Sequence, residues 1–452
     1  MSTPNEIATT ASADATLAAA LAAALAVALA SSPAVAQQQV VKPPVAQYWI
    51  DVSTHTMAGM PEMPEMPGMS AIPGMGGMSG GGSNTWGMAR TMAMGRHVDL
   101  ALHTRAKPAG SEATHAIPPA MSMGPSLPLV PVRSAPTTRE PGEAPDDVRD
   151  KPTGRLLIYW GCGEAVRPGQ PRVIDLAGNP AEFGRAFGGR YAPDRGARAA
   201  PGYSLWPNER NPNPVPRAAS LVGEHTITGD GVPAGMRFAI GQAHDLMPAI
   251  ELSSTGALTD SIALTWQPVR SALAHYLHAM AVNGKDMILW SSAEAPDTGM
   301  GLFDYLSGAT IERWVREKVL LPASQTSCAV PKGIFAGGKD DGAMLRMMAY
   351  GPELNLVHPP RPQDPRIAWE PDWAVRVRVK ASTMAMLGTD IAATAAERAA
   401  PARDAAGAAG AQPGREAPAD QRAQEPAQPS RGLIPGIPGV NPTDVIKGIF
   451  GR

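Results

Sequence analysis

The chain has 452 residues, enough for two or three domains, and a net charge of −2, which gives no bulk electrostatic case for nucleic acid. Gly and Pro number 47 each, which points to loops, turns and tails rather than compact helical protein. Aromatic residues are only 5% of the chain, which argues against an outer-membrane barrel, because such barrels carry aromatic girdles.

Residues 17–30 form an apolar run of signal-peptide length, followed by the small-x-small cleavage pattern Ala34-Val35-Ala36. Residues 1–16 depart from that pattern, since they hold no Lys or Arg and carry Glu6 and Asp14. The expectation is an exported envelope or periplasmic protein with residues 1–36 as signal peptide and a mature chain starting near Gln37. The run is too short to span a bilayer, and no other segment is predicted to span one.

From residue 40 to 388 helical periodicity is scarce and strand-like alternation is common. "AQYWIDV" reads as the first strand. It is followed by "HTMAGMPEMPEMPGM", in which Met57, Met60, Met63, Met66 and Met69 recur at every third position with Pro61, Pro64 and Pro67 between them. Pro at that spacing favours polyproline II, with three residues per turn, so Met60, Met63 and Met66 share one edge roughly 9 Å apart. Thioethers are soft ligands that select Cu(I) or Ag(I), and His55 adds a borderline ligand beside them. Ten of the 23 methionines fall between 57 and 94. The same segment also reads as a passive or adaptable contact loop, or as a site of sacrificial Met oxidation.

The next strand, "RHVDLALHT", sets Val98, Leu100 and Leu102 inward and His97, Asp99 and His103 on the other face. His97 and His103 are about 20 Å apart along a strand, too far to share a metal, whereas His97 and Asp99 are close enough. Segments 70–84, 105–153 and 190–217 read as long loops. "RLLIYWG" is a buried strand. "AHDLM" places His244 beside Asp245, which reads as a loop hydrogen bond. Cys162 and Cys328 are the only cysteines, and in an exported protein they are expected to form one disulfide. "HAMAVNGKDMILW" reads as a hairpin with a type I′ turn at Asn283-Gly284, and His275 and His278 fall on opposite faces of its first strand. "GGKDDG" (337–342) reads as a solvated turn. "WAVRVRVK" alternates Trp373, Val375, Val377 and Val379 with Arg376, Arg378 and Lys380. Its basic side reads as a solvated strand face, or as a contact for anionic lipid or polysaccharide.

Residues 389–430 hold almost no large apolar residue and are expected to be disordered. In residues 431–452, Asn441 and Pro442 are suited to start a short helix with Val445, Ile446, Ile449 and Phe450 on one side, an apolar hook for docking or for an envelope-surface partner.

The stretch 262–292, "IALTWQPVRSALAHYLHAMAV" and onward, resembles the opening of a fibronectin type III-like sandwich, with Trp266 and Tyr276 in the places of its core Trp and facing-sheet Tyr. The resemblance implies packing and carries no catalytic residue. The Met-rich loop resembles those of periplasmic copper-handling proteins, which implies a soft-ligand role for its methionines.

Together these readings predict an all-β protein with two β-sandwich-like domains, 41–258 with the Met-rich loop 55–95 and 259–388, then a disordered linker and an apolar tail. No Gly-x-Ser-x-Gly, His-Glu-x-x-His, phosphate-loop or Rossmann pattern is present, so the expectation is a non-enzymatic structural or interaction module of the envelope. Its contacts would be made by loops and the C-terminal tail. The alternative is a soft-metal binder using His55 and Met57 to Met69.

Overall fold

A computed structural model describes residues 39–60, 84–91, 93–133, 154–175, 178, 185–337, 342–388 and 391. The expected signal peptide, Met63, Met66, Met69, most of the "GGKDDG" turn, the linker 389–430 apart from Ile391 and the tail 431–452 lie outside the described residues.

The strands, in chain order, are β1 (Ala46–Met57), β2 (Gly95–Thr104), β3 (Ala113–Ala116), β4 (Ser126–Pro131), β5 (Arg155–Trp160) and β6 (Arg172–Asp175). They continue with β7 (Tyr203–Trp206), β8 (Gly223–Gly229), β9 (Arg237–Ile240), β10 (Leu252–Thr255), β11 (Ile262–Trp266) and β12 (Ala274–Asn283). β13 (Asp286–Ser291), β14 (Leu321–Pro322), β15 (Ser327–Val330), β16 (Ala343–His358) and β17 (Trp373–Leu387) complete the series. The helix α1 (Gly308–Arg316) begins at Ser307, whose hydroxyl accepts from the Thr310 amide as an N-cap.

The all-β class with long loops is what the structure shows. A 14-stranded sheet runs β6-β5-β13-β12-β16-β17-β1-β2-β7-β4-β3-β8-β9, with β14 on β12, and a 3-stranded sheet runs β10-β11-β15. Residue 258, near the expected domain boundary, lies between β10 and β11 of the small sheet, which pair with each other. β1 lies parallel to β17 along its full length, from Ala46 opposite Trp373 to Met57 opposite Met384, and antiparallel to β2. Residues 1–399 form one compact unit, and residues 400–452, a second unit, are outside the described residues.

Period-two alternation in β1, β2, β16 and β17 sorts their side chains onto two faces. One face is apolar: Ile50 and Val52, Leu100, Leu345 and Met347, and Val377 and Val379 join a single core cluster. That cluster includes Leu264 and Trp266 of the small sheet, which therefore packs on this face. Trp266 meets His275 at 5.5 Å between ring centroids, while Tyr276, the next residue, turns to the opposite face among Leu302 and Tyr350. The β12–β13 hairpin forms as expected, but Asn283 pairs with Asp286, so the turn residues are Gly284 and Lys285 and only Gly284 takes a positive φ. Cys162 and Cys328 are disulfide-bonded, with their Cα atoms 5.2 Å apart.

Candidate functional site

The second face of the central strands is polar and buried. Strand register sets Asp51 between Arg378 and Asp99, Ser53 between Lys380 and His97, and His55 beside Ser382. Arg378 is only 2% exposed and Lys380 fully buried, which overturns for both the reading of this face as solvated or as a contact for anionic lipid or polysaccharide, while Arg376 keeps a quarter of its side chain exposed. A parallel pair in mid-sheet is covered on both sides, and here the second cover is made of loops.

Three segments form that cover. Residues 84–91 lie over β1 and β2, where the Ala89 amide donates to Asp99 Oδ2 at 3.0 Å and Arg90 reaches Asp51 at 3.4 Å. Residues 194–197 lie over β17, where Arg376 donates to the Arg195 carbonyl at 2.8 Å and Arg195 pairs with Glu353 at 2.8 Å. Residues 299–307 bring Phe303 over Arg346 and Tyr305 over Arg378, each ring centroid 4.5 Å from the guanidinium carbon. Gly196 sits at a close approach: a Cβ there would stand 1.1 Å from Arg90 Nη2 and 2.5 Å from Arg378 Nη2.

The charges are held in a low-dielectric layer. Arg378 grips Asp51 through both oxygens, Nε to Oδ1 at 2.7 Å and Nη2 to Oδ2 at 2.5 Å. Burial works against the Arg378 charge, but the Asp51 carboxylate outweighs it and the group stays charged. Lys380 donates to the Phe303 carbonyl at 3.0 Å, and burial lowers its pKa to about 7 against the pull of Asp304. Burial, aided by the neighbouring Asp51 carboxylate, raises the Asp99 pKa to about 7. An acid and a base that both change charge near neutrality therefore flank the Asp51–Arg378 pair, the sort of perturbation that gathers at functional sites.

His55 and His97 meet on this face with ring centroids 5.8 Å apart. His55 Nδ1 is 2.6 Å from Ser382 Oγ, and His97 Nε2 is 2.9 Å from the Ala93 carbonyl, to which it donates. The remaining ring nitrogens, His55 Nε2 and His97 Nδ1, are buried without a partner. Burial lowers both pKa values, and Lys380, His97 and Arg346 lower that of His55 further, so both rings are neutral at physiological pH. The result is two dry nitrogens, with the other nitrogen of each ring held by an oxygen, the orientation seen in metal-binding histidines.

The sequence-predicted site residues divide accordingly. His55 is buried in β1. Met57 ends the strand half-buried and opposite Met384, and Met60 follows in the turn, 37% exposed. His97 joins His55, a pairing that needs the β1–β2 register and so leaves no local sequence signal. His103 lies against Tyr203 with ring centroids 5.2 Å apart and planes tilted, apart from the pair. Asp245 accepts from the Ser220 hydroxyl and the Leu221 amide, each at 2.7 Å, in the loop role expected of it. Among the described residues no group of three or more His, Cys, Asp or Glu side chains gathers to hold a metal, so any ligand set here must be completed by other atoms.

On the apolar side a second histidine chain is fully satisfied: Tyr48 Oη to His115 Nδ1 at 2.9 Å, His115 Nε2 to His225 Nδ1 at 2.9 Å, and His225 Nε2 to the Leu221 carbonyl at 2.7 Å. No ring nitrogen is left over in it, which marks it as packing. No family model matches this chain, and no curated protein matches it either.

Proposed function

We propose that this protein binds a soft metal ion, Cu(I) or Ag(I), at the end of β1, with His55 and His97 as nitrogen ligands and Met57 as the first thioether. The observation that carries this reading is the pair of buried, unpartnered nitrogens on rings 5.8 Å apart, two residues before the methionine series begins. Thioethers from the series, Met60, Met63, Met66 and Met69, complete a set that suits Cu(I). Neutral nitrogen and sulfur ligands beside Lys380 and Arg346 favour a singly charged ion over a divalent one, because each nearby cation repels charge in a dry layer. Export to an oxidising envelope compartment is part of the proposal, and the Cys162–Cys328 disulfide supports it.

A Cu(I) competition titration of the full chain tests the reading, run beside His97→Phe and beside a variant with Met57, Met60, Met63, Met66 and Met69 changed to Leu. Tight binding in the parent, weakened at least tenfold in each variant, is the expected result. Equally feeble binding in all three overturns it.

A second reading, a non-enzymatic contact module of the envelope, draws support from an apolar patch. Val40, Val41 and Ile367 are each more than half exposed, and the Trp369 amide donates to the Val40 carbonyl, which holds the two segments together. Envelope fractionation that is lost on Val40→Asp with Ile367→Asp supports this reading, and unchanged fractionation removes it.

A further inference from the structure

Arg346 of β16 lies on the polar face, between His278 of β12 and Met384 of β17 in the strand register, and only 7% of it is exposed. Its Nε and Nη2 atoms are buried without a hydrogen-bond partner. These two atoms form one edge of the guanidinium, the edge whose parallel N–H groups match the two oxygens of a carboxylate. Arg378 on the neighbouring strand shows what that edge takes on this same face, since its Nε and Nη2 hold the two oxygens of Asp51. The nearby carboxylates are already engaged, Asp51 with Arg378 and Asp304 with Lys380 at 4.0 Å. Phe303 covers the Arg346 guanidinium at 4.5 Å and fixes its plane, so the edge is pre-oriented.

We infer that Arg346 is a binding site for a small organic carboxylate, gripped side-on through Nε and Nη2 as Asp51 is gripped by Arg378. A buried cation without a counter-charge is strongly unfavourable, and a ligand carboxylate supplies that counter-charge. This inference does not rest on the metal reading, although Arg346 is one of the cations that act on His55.

The test is isothermal titration of the full chain with sodium acetate and sodium propionate, in chelator-treated buffer at matched ionic strength, with inorganic phosphate as the tetrahedral control. The parent chain is expected to bind a carboxylate at one site in preference to phosphate. Arg346→Lys, which keeps the charge and loses the fork, should bind at least tenfold more weakly. Arg346→Met should not bind, and without ligand it should melt no lower than the parent, because it lacks the uncompensated cation. Should Arg346→Met not fold, titration of Arg346→Lys followed by NMR of ¹³C-carboxyl propionate decides the matter, with tenfold weakening in support. Failure of the parent to bind either acid, binding that survives unchanged in a variant, or phosphate bound as well as the acids overturns the inference.

Discussion

The two sides of β17 differ in chemistry and agree in burial. Val375, Val377 and Val379 enter an apolar core shared with the small sheet, while Arg378 and Lys380 enter a layer that is equally closed to solvent. Alternation along a strand therefore separates two environments, and it does not by itself say that either is wet. The apolar side closes by the hydrophobic effect alone, without directional partners. The polar side closes around partnered charges such as Asp51 and Arg378, and the groups left over, the His55–His97 nitrogens and the Arg346 edge, are where ligands are proposed to bind.

If both sides are dry, acid should destabilise through both. His55, His97 and His278 on the polar side and His115, His225 and His275 on the apolar side all have pKa values lowered, by burial first, and for His275 and His278 to about 4. Above the unfolded value near 6.5 neither state is protonated and the stability is fully present. As pH falls below it, the unfolded chain takes up protons that the native chain refuses, and stability drops by about 1.4 kcal/mol per pH unit per group. Asp99 works in the other direction, since its pKa of about 7 lets the native state keep a proton that the unfolded chain releases above its own, lower value. The net expectation is a steep loss of stability between pH 6.5 and 5, read from urea midpoints, with all six imidazoles titrating below 6.5 by NMR. Ordinary titration of His55, His97 and His278 alone would show that the polar side is wet.

Paired substitutions on adjacent β17 residues sharpen the comparison. Arg378→Met leaves Asp51 buried without its main partner and should cost about 3–5 kcal/mol. Val377→Ala, on the other side, should cost about 2 kcal/mol, from roughly 0.8 kcal/mol per lost methylene plus a cavity. Adding Asp51→Asn to Arg378→Met should recover part of the loss, since the uncompensated charge is then gone. A smaller cost for Arg378→Met than for Val377→Ala in chemical denaturation would mean that water reaches Asp51.

How much of this was legible depends on sequence distance. β1, β2 and β17 were readable from local alternation, whereas β16 between β12 and β17 was not read, and the disulfide followed from there being only two cysteines. The burial of the basic side was not readable, because Arg378 is paired with Asp51 across 327 residues and its cover comes from loops around 90, 196 and 305. The same applies to the histidine pair. Alternation put His97 and Asp99 on one face, and the Met series drew attention to His55, but only the antiparallel register of β1 and β2 brings the two rings together. The parallel β1–β17 pairing joins strands from opposite ends of the chain, and no local pattern records it either.

The loop cover itself gives the smallest expected effect. Gly196→Ala would push a methyl group against the far ends of Arg90 and Arg378. Arg90 is the more mobile of the two, with a quarter of its side chain exposed and a long contact to Asp51 of 3.4 Å, so it should yield first. The atoms displaced are the far ends of flexible side chains, so the cost expected is at the low end of overpacking, about 1 kcal/mol. In an Arg90→Ala background the same methyl group meets only Arg378, so Gly196→Ala should cost measurably less there. An equal cost in both backgrounds would place the obstacle at Arg378 itself, and the cover would then be as tightly fitted over the charged side of the sheet as the small sheet is over the apolar one.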